Sequence, residues 1–295
     1  MRIGANGISI ELQDEGPAGG EPLLLIMGLG MQLIAWPEGF VRQLVQRGFR
    51  VIRFDNRDIG LSQHFDHVGV PNIVLEGIRF AVGSSVKSAY TLPDMAADSI
   101  GVLDALGIAS AHVCGASMGG MIAQHVAVRQ PQRVRSLTLL MTSSGARHLP
   151  GPTMKVHAAM MARPDPRNHD AIIAYYLRLY RAIGSPGYPS AESEVRERVE
   201  SWIRRSYHPA GNLRQLVAIA ADGDRSALLR DLRAPTQVIH GRDDALVPLP
   251  AGIDLSHKIA GATLDVIDGM GHDLPEALWR RIVSGIEAAA ARTAR

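Results

Sequence analysis

Residues 111–126 read AHVCGASMGGMIAQHV, and this stretch decides the fold of the chain. A short apolar run predicts a strand at 111–115, and helical periodicity predicts a helix at 118–130. Between them, Ser117 stands in the pattern Gly-x-Ser-x-Gly. Flanking glycines let the strand and the helix approach closely while the serine hydroxyl stays exposed in a strained turn. The pattern predicts a nucleophilic Ser117, and the alternative is a tight turn with a structural role only.

Outside this stretch, short β-rich apolar runs alternate with helical segments along most of the chain. Such alternation is typical of a mostly parallel sheet with helices packed on its faces. The run LLLIM at 23–27 is apolar at every position, as expected for a strand that is covered on both faces. Strands are predicted at 8–13, 23–27, 50–55, 111–115, 134–141, 236–241 and 263–268.

The clearest helix is predicted at 94–106, where apolar residues recur on one face. Thr91 followed by Asp94 forms a capping box at its start. The same periodicity predicts helices at 118–130 and 273–291, with Gly or Pro near their boundaries.

The alternation stops between 147 and 230, where helical periodicity continues without a convincing strand. The turn cluster GSPGYPS at 184–190 separates two of these helices. We therefore predict a core formed by 1–146 and 231–295, with a helical cap inserted at 147–230. The two apolar helix faces of this insertion contain Ile172, Ile173, Tyr176, Leu177 and Tyr180 in the first helix, and Val195, Val199, Trp202 and Ile203 in the second.

Composition and charge argue against several classes of protein. Hydrophobic residues make up 46% and charged residues 20%, as in a packed globular domain. The formal net charge is +2 and no block of five like charges occurs, so no nucleic-acid partner is expected. No apolar stretch approaches the roughly 18 to 20 residues of a membrane span. Because the first residues also lack an apolar signal core, we expect a cytoplasmic protein without membrane contact.

Two further motifs precede the serine stretch: Met-Gly-Leu-Gly at 27–30 and Asp-Asn-Arg-Asp-Ile-Gly-Leu-Ser at 55–62. In this order, and followed by the serine motif at 115–120, they resemble the α/β-hydrolase superfamily. The resemblance covers nearly the whole chain outside the insertion. The Asp-x-Arg-Asp-x-Gly-x-Ser form of the second motif is most similar to esterases related to aclacinomycin methylesterase. The resemblance implies an α/β-hydrolase fold and a catalytic triad in the chain order Ser, acid, His.

A serine hydroxyl is a poor nucleophile at neutral pH and needs a general base. His272, in Gly-Met-Gly-His after the last predicted strand, lies where the family has its histidine. Other histidines are weaker candidates, since His125 is predicted inside a helix and His112 inside a strand. The resemblance implies His272 as the base, and a histidine that caps a loop is the alternative.

The base in turn needs an orienting carboxylate. The segment GRDDALVP at 241–248 resembles the family's Gly-x-x-Asp-x-x-Val-Pro loop, and that register selects Asp244. Its neighbour Asp243 remains the main rival, and an aspartate with only a turn-forming role is a third possibility.

Ester hydrolysis passes through a tetrahedral oxyanion, which preorganised N–H donors stabilise. The first donor is expected to be the backbone N–H of Met118, after the serine. The resemblance implies Leu29 as the second donor. The chain has Met27 before Gly28 where the family commonly has His-Gly, so the loop lacks the support of that histidine.

Several other residues near these motifs are expected to be structural. Arg57 and Asp58 are predicted to staple their loop rather than to catalyse. Asp222 and Asp224, in the sequence ADGDR, are predicted to form a turn and a helix cap. Cys114, the single cysteine, is predicted to be a buried packing residue.

The serine argues against dehalogenase and epoxide hydrolase chemistry, which in this fold uses an aspartate nucleophile. The chain is predicted to be a serine carboxylesterase for a small to medium, largely apolar ester. Met161 and Trp202 of the predicted cap are candidate substrate contacts. No cofactor and no metal are expected, because no set of His, Cys and carboxylate residues has the spacing of a zinc site. The oligomeric state is left open.

Other functions are compatible with the same residues. A cofactor-free perhydrolase or haloperoxidase-like activity uses the same triad, and so does hydrolysis of a carbon–carbon bond in a diketone-type compound. From a different class, the chain could be a ligand-binding receptor or a pseudoenzyme on this fold. A complete candidate triad disfavours that reading, because binding alone does not require the set.

Overall fold

A computed structural model describes residues 1–162, 164, 165 and 167–294 of the 295-residue chain. Arg163 and Pro166 of the predicted cap, and Arg295 of the predicted core, lie outside the described residues. In the described part, eight strands form one sheet in the order β1-β2-β4-β3-β5-β6-β7-β8. The strands are β1 Arg2–Ala5, β2 Ile8–Glu15, β3 Glu21–Ile26, β4 Phe49–Phe54, β5 Ala111–Ala116, β6 Val134–Leu140, β7 Thr236–Gly241 and β8 Thr263–Ile267.

Pairing in this sheet is antiparallel only where β2 meets β1 and β4, and is parallel from β4 to β8. The predicted fold class, a mostly parallel sheet flanked by helices, is confirmed. The helices are α1 Glu38–Gln46, α2 Ile73–Ala81, α3 Leu92–Ala105, α4 Met118–Arg129, α5 Met154–Met161, α6 His169–Ile183, α7 Glu192–Arg205, α8 Pro209–Asp222, α9 Ser226–Leu229, α10 Pro250–Lys258 and α11 Trp279–Ala291.

Strand β3 illustrates how the sequence builds the core. Its last four residues, 23–26, are fully buried, and alternate side chains point to opposite faces of the sheet. Leu24 and Ile26 join the cluster formed with α3 and α4, whereas Leu23 and Leu25 join the one formed with α1 and α11. Each such buried side chain contributes about 1.5 to 3 kcal/mol to folding. The sheet is therefore fixed between two helical layers, and the loops at its carboxyl edge have a rigid support.

Two helix predictions differ in outcome. The capping box is confirmed, because the Thr91 side chain accepts a hydrogen bond from Asp94 N–H while the Asp94 side chain accepts one from Thr91 N–H. The predicted helix at 273–291 is wrong in its first part, since α11 begins only at Trp279 after a short 3-10 turn. Pro275 explains the difference, because a proline disfavours helical backbone in the residue before it.

Helices α5 to α9 lie between β6 and β7 in the chain, inside the predicted insertion 147–230. The two apolar faces predicted there pack against each other, with Ile173 and Leu177 of α6 buried against Val195 and Val199 of α7. The turn 184–190 separates these helices as predicted.

The prediction for the ADGDR segment is partly wrong. Asp224 accepts hydrogen bonds from the N–H and hydroxyl of Ser226, the first residue of α9, but the N-cap position itself is Arg225, which makes no side-chain capping bond. Asp222 instead ends α8, and its side chain, which is 6% exposed, binds His125 and Arg225, because the turn begins only at Gly223. Cys114 is buried, as predicted. Among the described residues, no helix is both long and apolar enough to cross a membrane.

Candidate active site

Ser117 lies at a sharp turn between β5 and α4. Its backbone has φ 54° and ψ −122°, a strained conformation for a residue with a side chain. A Cβ on Gly115 would lie 2.2 Å from the Gly119 carbonyl oxygen, and one on Gly119 would lie 2.0 Å from the Ile26 carbonyl oxygen. Only glycine fits these two positions, which confirms the predicted close approach of strand and helix. The Ser117 hydroxyl therefore stands at the carboxyl edge of the sheet.

His272 follows β8 and faces the serine. Its Nε2 lies 3.0 Å from Ser117 Oγ, and its Nδ1 lies 2.7 Å from Asp244 Oδ2. This network fixes the tautomer in which Nδ1–H donates to the carboxylate and Nε2 accepts from the serine hydroxyl. The three residues predicted as nucleophile, base and acid are thus brought together from positions 117, 272 and 244.

Asp244 is held by the loop that follows β7. Its Oδ1 accepts hydrogen bonds from the N–H groups of Leu246 and Val247, at 2.9 and 2.8 Å, while Oδ2 is directed at the imidazole. The carboxylate is fully buried, so its orientation is set by these donors. Asp243 is exposed and accepts a hydrogen bond from Gly269 N–H at 2.9 Å. Of the two adjacent aspartates, Asp244 meets His272, and Asp243 joins two loops.

His240 is a site residue that the sequence analysis did not identify. It lies fully buried in β7, and its Nε2–H donates to the Val247 carbonyl oxygen at 2.7 Å. Burial lowers the pKa of His240, against an opposing effect of this hydrogen bond, so the ring is neutral at pH 7. His240 therefore fixes the turn that presents Asp244. Its place within an apolar strand gave no signal of this role.

The two predicted oxyanion donors belong to the start of α4 and to the loop after β3. Met118 is the first residue of α4, so its N–H has no acceptor within the helix. The loop that carries Leu29 lies against the serine, because a Cβ on Gly28 would be 3.1 Å from Ser117 Cβ. Asn56 Nδ2 donates to the Met27 carbonyl oxygen at 2.9 Å and so supports this loop, in which the family's usual histidine is missing.

Ion pairs fix the 55–62 motif to α3 and α8, and the structural role predicted for Arg57 and Asp58 fits these contacts. Arg57 binds Asp98 of α3 through two hydrogen bonds, of 2.6 and 2.7 Å. Asp58 is fully buried and binds Arg214 of α8 in the same bidentate way, also at 2.6 and 2.7 Å. Burial raises the pKa of Asp58, but hydrogen bonds led by that from Arg214 lower it below the ordinary value.

The loop of Leu29 is also tied to α8. Gln215 Oε1 accepts a hydrogen bond from Gly30 N–H at 2.9 Å, and its Nε2 donates to the Arg57 carbonyl oxygen at 2.9 Å. One buried glutamine of the inserted helices therefore bridges the oxyanion loop and the 55–62 motif.

Hydrogen bonds also join the end of α6 and the residues after it to the loop of His272. The His272 N–H donates to the Ile183 carbonyl oxygen at 2.7 Å. The Gly271 N–H donates to Ser185 Oγ at 2.9 Å, and the Ser185 hydroxyl donates to Asp273 Oδ1. Burial raises the pKa of Asp273, although the hydrogen bonds from Ser185 oppose that rise. Both neighbours of His272 in the chain are thus bound to Ser185.

The two predicted substrate contacts lie in different surroundings. Trp202 is half-buried and lines a cavity of about 30 Å³ beside Gly30 and Met31, together with Tyr176. This volume is enough for one or two water molecules. Met161 ends α5 and is 75% exposed. The structure therefore favours Trp202 over Met161 as a residue near the oxyanion loop.

One cluster of potential metal ligands arises from residues distant in sequence. Donor atoms of His64, Asp66 and His208 lie within 4.8 Å of one another. Arg214 Nη2 is 3.0 Å from His208 Nε2 and 3.1 Å from Asp66 Oδ1, and the two imidazole rings are stacked. Because the guanidinium already supplies a positive charge to these ligands, we assign no metal to the cluster.

The chain belongs to the α/β-hydrolase fold family, whose model matches residues 21–276, and it is an enzyme of that family. The predicted resemblance to the methylesterase group is confirmed. The chain is similar to a rhodomycin D methylesterase from Streptomyces sp. strain C5, with 27% identity over 90% of this chain and 89% of the relative.

Other relatives are named as hydrolases of a different class of substrate. The chain is 28% identical to a 2-hydroxy-6-oxononadienedioate/2-hydroxy-6-oxononatrienedioate hydrolase from Burkholderia vietnamiensis, over 90% of this chain and 85% of the relative. Among solved structures, a thermophilic esterase from Thermogutta terrifontis has the same fold, with a TM-score of 0.74 and 23% identity over 99% of both chains.

Proposed function

We propose that the chain is a serine carboxylic-ester hydrolase that acts through an acyl-enzyme. The observation that carries the proposal is the continuous hydrogen-bonded chain from Asp244 to His272 to Ser117, with heavy-atom distances of 2.7 and 3.0 Å. These are the distances at which a base can take a proton from a nucleophile while a carboxylate orients it.

In the proposed mechanism, His272 takes the hydroxyl proton as Ser117 Oγ attacks the ester carbonyl carbon. The backbone N–H groups of Leu29 and Met118 stabilise the resulting oxyanion, and each such donor contributes about 100- to 1000-fold to the rate. The protonated His272 then gives its proton to the leaving alcohol, and the acyl group stays on Ser117. His272 next activates a water that hydrolyses the acyl-enzyme and releases the acid.

The segment 147–230 is proposed to act as a cap over this site, with the core formed by 1–146 and 231–295. Two observations support the proposal: Ile183 and Ser185 bind the His272 loop, and Gln215 binds the oxyanion loop. The proposed substrate is a small to medium, largely apolar ester, and the aromatic rings of Tyr176 and Trp202 near Gly30 support its apolar character. The cavity that these rings line has to widen to admit an ester, because its volume of about 30 Å³ takes only one or two water molecules.

A second candidate function is hydrolysis of a carbon–carbon bond, favoured by the similarity to the dienedioate hydrolases. The same three residues serve either reaction, so the site geometry does not separate them. Perhydrolysis differs only in the nucleophile that attacks the acyl-enzyme, with hydrogen peroxide in place of water.

The discriminating experiment is steady-state kinetics of the purified chain on p-nitrophenyl esters of graded acyl length and on a 2-hydroxy-6-oxo-dienoate, with Ser117→Ala as control. The proposal expects ester turnover, with an initial burst of p-nitrophenol where deacylation is slow, and none in the variant. Faster turnover of the dienoate than of every ester would select carbon–carbon hydrolysis. Peracid formation that is faster than ester hydrolysis when peroxide is added would select perhydrolysis. No turnover of any ester or of the dienoate would contradict both proposed reactions.

A further inference from the structure

The loop after β3 makes a tight turn at residues 28–31, next to the nucleophile. Met31 N–H donates to the Gly28 carbonyl oxygen at 3.2 Å, and Gly30, the third residue of the turn, has φ +70°. A positive φ at that position is what a type II turn requires. A Cβ on Gly28 would lie 3.1 Å from Ser117 Cβ. The conformation of this turn therefore sets where its N–H groups lie relative to the serine.

The two central N–H groups of the turn differ in their bonding. Gly30 N–H donates to Gln215 Oε1 at 2.9 Å. Leu29 N–H has no hydrogen-bond acceptor among the residues that the structure describes. The bond to Gln215 thus occupies the first group and leaves the second for a substrate, and Leu29 N–H is the donor that the proposed mechanism uses.

The sequence of the turn permits more than one conformation. Glycine adopts positive and negative φ about equally readily, so Gly30 allows a type II turn without selecting it. A type I turn differs by a rotation of the Leu29–Gly30 peptide, which exchanges the sides of its N–H and its carbonyl oxygen. In that alternative the Leu29 carbonyl oxygen would face Gln215 Oε1, and two acceptors would meet without a proton between them. The side chain of Gln215 therefore selects the observed orientation.

The amide of Gln215 is itself fixed in direction. The residue is fully buried, and its Nε2 donates to the Arg57 carbonyl oxygen at 2.9 Å. Because a carbonyl only accepts and a backbone N–H only donates, these two partners define which end of the amide is the oxygen. One turn earlier in α8, Asn212 Oδ1 lies 2.5 Å from the position that a Cβ on Gly30 would take. Two successive turns of α8 therefore contact the same glycine.

We propose that Gln215 is a positioning residue of the oxyanion hole, which holds the turn of Leu29 in a single orientation. A donor that is already in place stabilises the transition state because it needs no reorganisation when the negative charge develops. Gln215 acts through Gly30 and Leu29 rather than on the substrate. This role rests on the proposed acyl-enzyme mechanism, and it gives α8 an effect on the rate that is separate from any contact with substrate.

The test compares the wild type with Gln215→Met, in which the side chain keeps its length but loses the amide, and with the control Gln124→Met. Gln124 is also buried, and its amide bridges the Ser143 carbonyl oxygen and Arg225 Nε, outside the loop of Leu29. One assay gives kcat and KM for p-nitrophenyl acetate. The other gives the rate constant for phosphonylation of Ser117 by a fluorophosphonate, whose phosphoryl oxygen takes the place of the oxyanion. Circular dichroism and urea unfolding verify that each variant is folded.

Gln215→Met should reduce kcat by about 100-fold with little change in KM, because a displaced donor weakens binding of the transition state and not of the ester. Phosphonylation should slow by a similar factor, and Gln124→Met should change neither rate by more than a few-fold. Gln215→Glu keeps an oxygen that can accept from Gly30 N–H and should recover part of both rates. If Gln215→Met does not fold, Gln215→Asn, whose amide is one methylene too short to reach Gly30, should show the same loss.

Equal rates for Gln215→Met and Gln124→Met would overturn the proposal, and so would a rise in KM without a loss in kcat. Failure of the proposed function has a different signature. A wild type that is phosphonylated at Ser117 but hydrolyses no ester would contradict the esterase, while the phosphonylation rates of the variants would still decide the role of Gln215. A wild type that is not phosphonylated at Ser117 would contradict both.

Discussion

The core loops and the inserted helices both hold His272, but by different means. From the core, His272 receives side-chain bonds, to Asp244 through Nδ1 and to Ser117 through Nε2. From the insertion, its backbone N–H binds the Ile183 carbonyl oxygen, and Ser185 binds the residues on either side of it. The bonds from the core thus set the tautomer of the imidazole and its partners in proton transfer. The bonds from the insertion fix the backbone that carries it. The end of α6, the segment after it and α8 are therefore part of the scaffold of the site as well as of its proposed cover.

The largest effects are expected on the core side. Ser117→Ala should leave a folded chain whose kcat for esters is reduced by roughly a million-fold, because the members of a triad act as one unit. His272→Ala should be nearly as severe, and the double variant scarcely worse. Kinetics of the three purified variants check this expectation. Additive losses in the double variant would show that the two residues work separately.

The adjacent aspartates provide a matched pair within one loop. Asp244→Asn should reduce kcat by about 10,000-fold with little change in folding, because the amide favours the wrong imidazole tautomer. Asp243→Asn removes only the negative charge of an exposed side chain and keeps an oxygen that can accept from Gly269 N–H, so it should cost at most a few-fold. The ranking of the two kcat values checks this. The reverse ranking would assign the acid to Asp243, and two mild effects would mean that the acid lies elsewhere.

The bond between the 55–62 motif and α8 should matter for stability. Asp58→Asn leaves Arg214 buried without its carboxylate, which typically costs about 3 to 5 kcal/mol of unfolding free energy. Because the pKa of Asp58 is lowered in the folded state from its ordinary value of 3.8, this stabilisation is present above that value. It is lost as the pH falls further, through the lower pKa of the folded state.

Urea unfolding at pH 7 and at about pH 3 measures this difference. The control is Asp66→Asn, because Asp66 also binds Arg214 but is 66% exposed, and such pairs contribute about 1 kcal/mol or less. Equal effects of the two variants, or a cost for Asp58→Asn that grows towards low pH, would contradict the role given to the buried pair.

The hydrogen bonds of Ser185 to Gly271 and Asp273 should affect catalysis by positioning the imidazole of His272. Ser185→Ala removes the acceptor of Gly271 N–H and the donor to Asp273, so the imidazole is held less firmly. A displacement of about 1 Å can cost roughly 100-fold in rate, and we expect a loss of that order in kcat with little change in KM. Ser190→Ala, in the same segment, is the matched control, and Ser185→Thr should recover part of the rate. A change in KM alone would make Ser185 a substrate contact.

The smallest expected effect separates the two predicted substrate contacts. Trp202→Ala should change the preference among esters of different acyl length by about ten-fold, since one pocket feature is worth about 1 to 3 kcal/mol. Met161→Ala should leave that preference unchanged, because its side chain is 75% exposed. Ratios of kcat/KM across the ester panel measure this. A larger shift for Met161→Ala would reverse the assignment.

The residues on the core side of this comparison could be proposed from short segments of sequence. Ser117 stands in a strand-turn-helix motif, and the resemblance of two loops to those of the α/β-hydrolase family implied His272 and Asp244. The residues that support them are different, since their partners are distant in the chain. Ser185 lies 86 positions from Gly271, and Gln215 lies 185 positions from Gly30. No periodicity or spacing encodes such pairs.

The same reasoning explains the errors in the fold prediction. Apolar periodicity extended the last helix back to 273, but Pro275 and the bonds of 271–273 to Ser185 hold that segment away from helical backbone. The turn expected at Asp222 is instead the end of a helix, since its carboxylate binds His125 from α4. In both places a contact between distant segments outweighs a local preference.

The most direct test of the nucleophile assigned to Ser117 is covalent labelling with a fluorophosphonate, followed by peptide mass spectrometry. The proposed mechanism predicts one adduct per chain, on the peptide that contains Ser117. The adduct should be absent in Ser117→Ala and should form much more slowly in His272→Ala. An adduct on any other residue, or an undiminished adduct in Ser117→Ala, would contradict the proposal that Ser117 is the nucleophile.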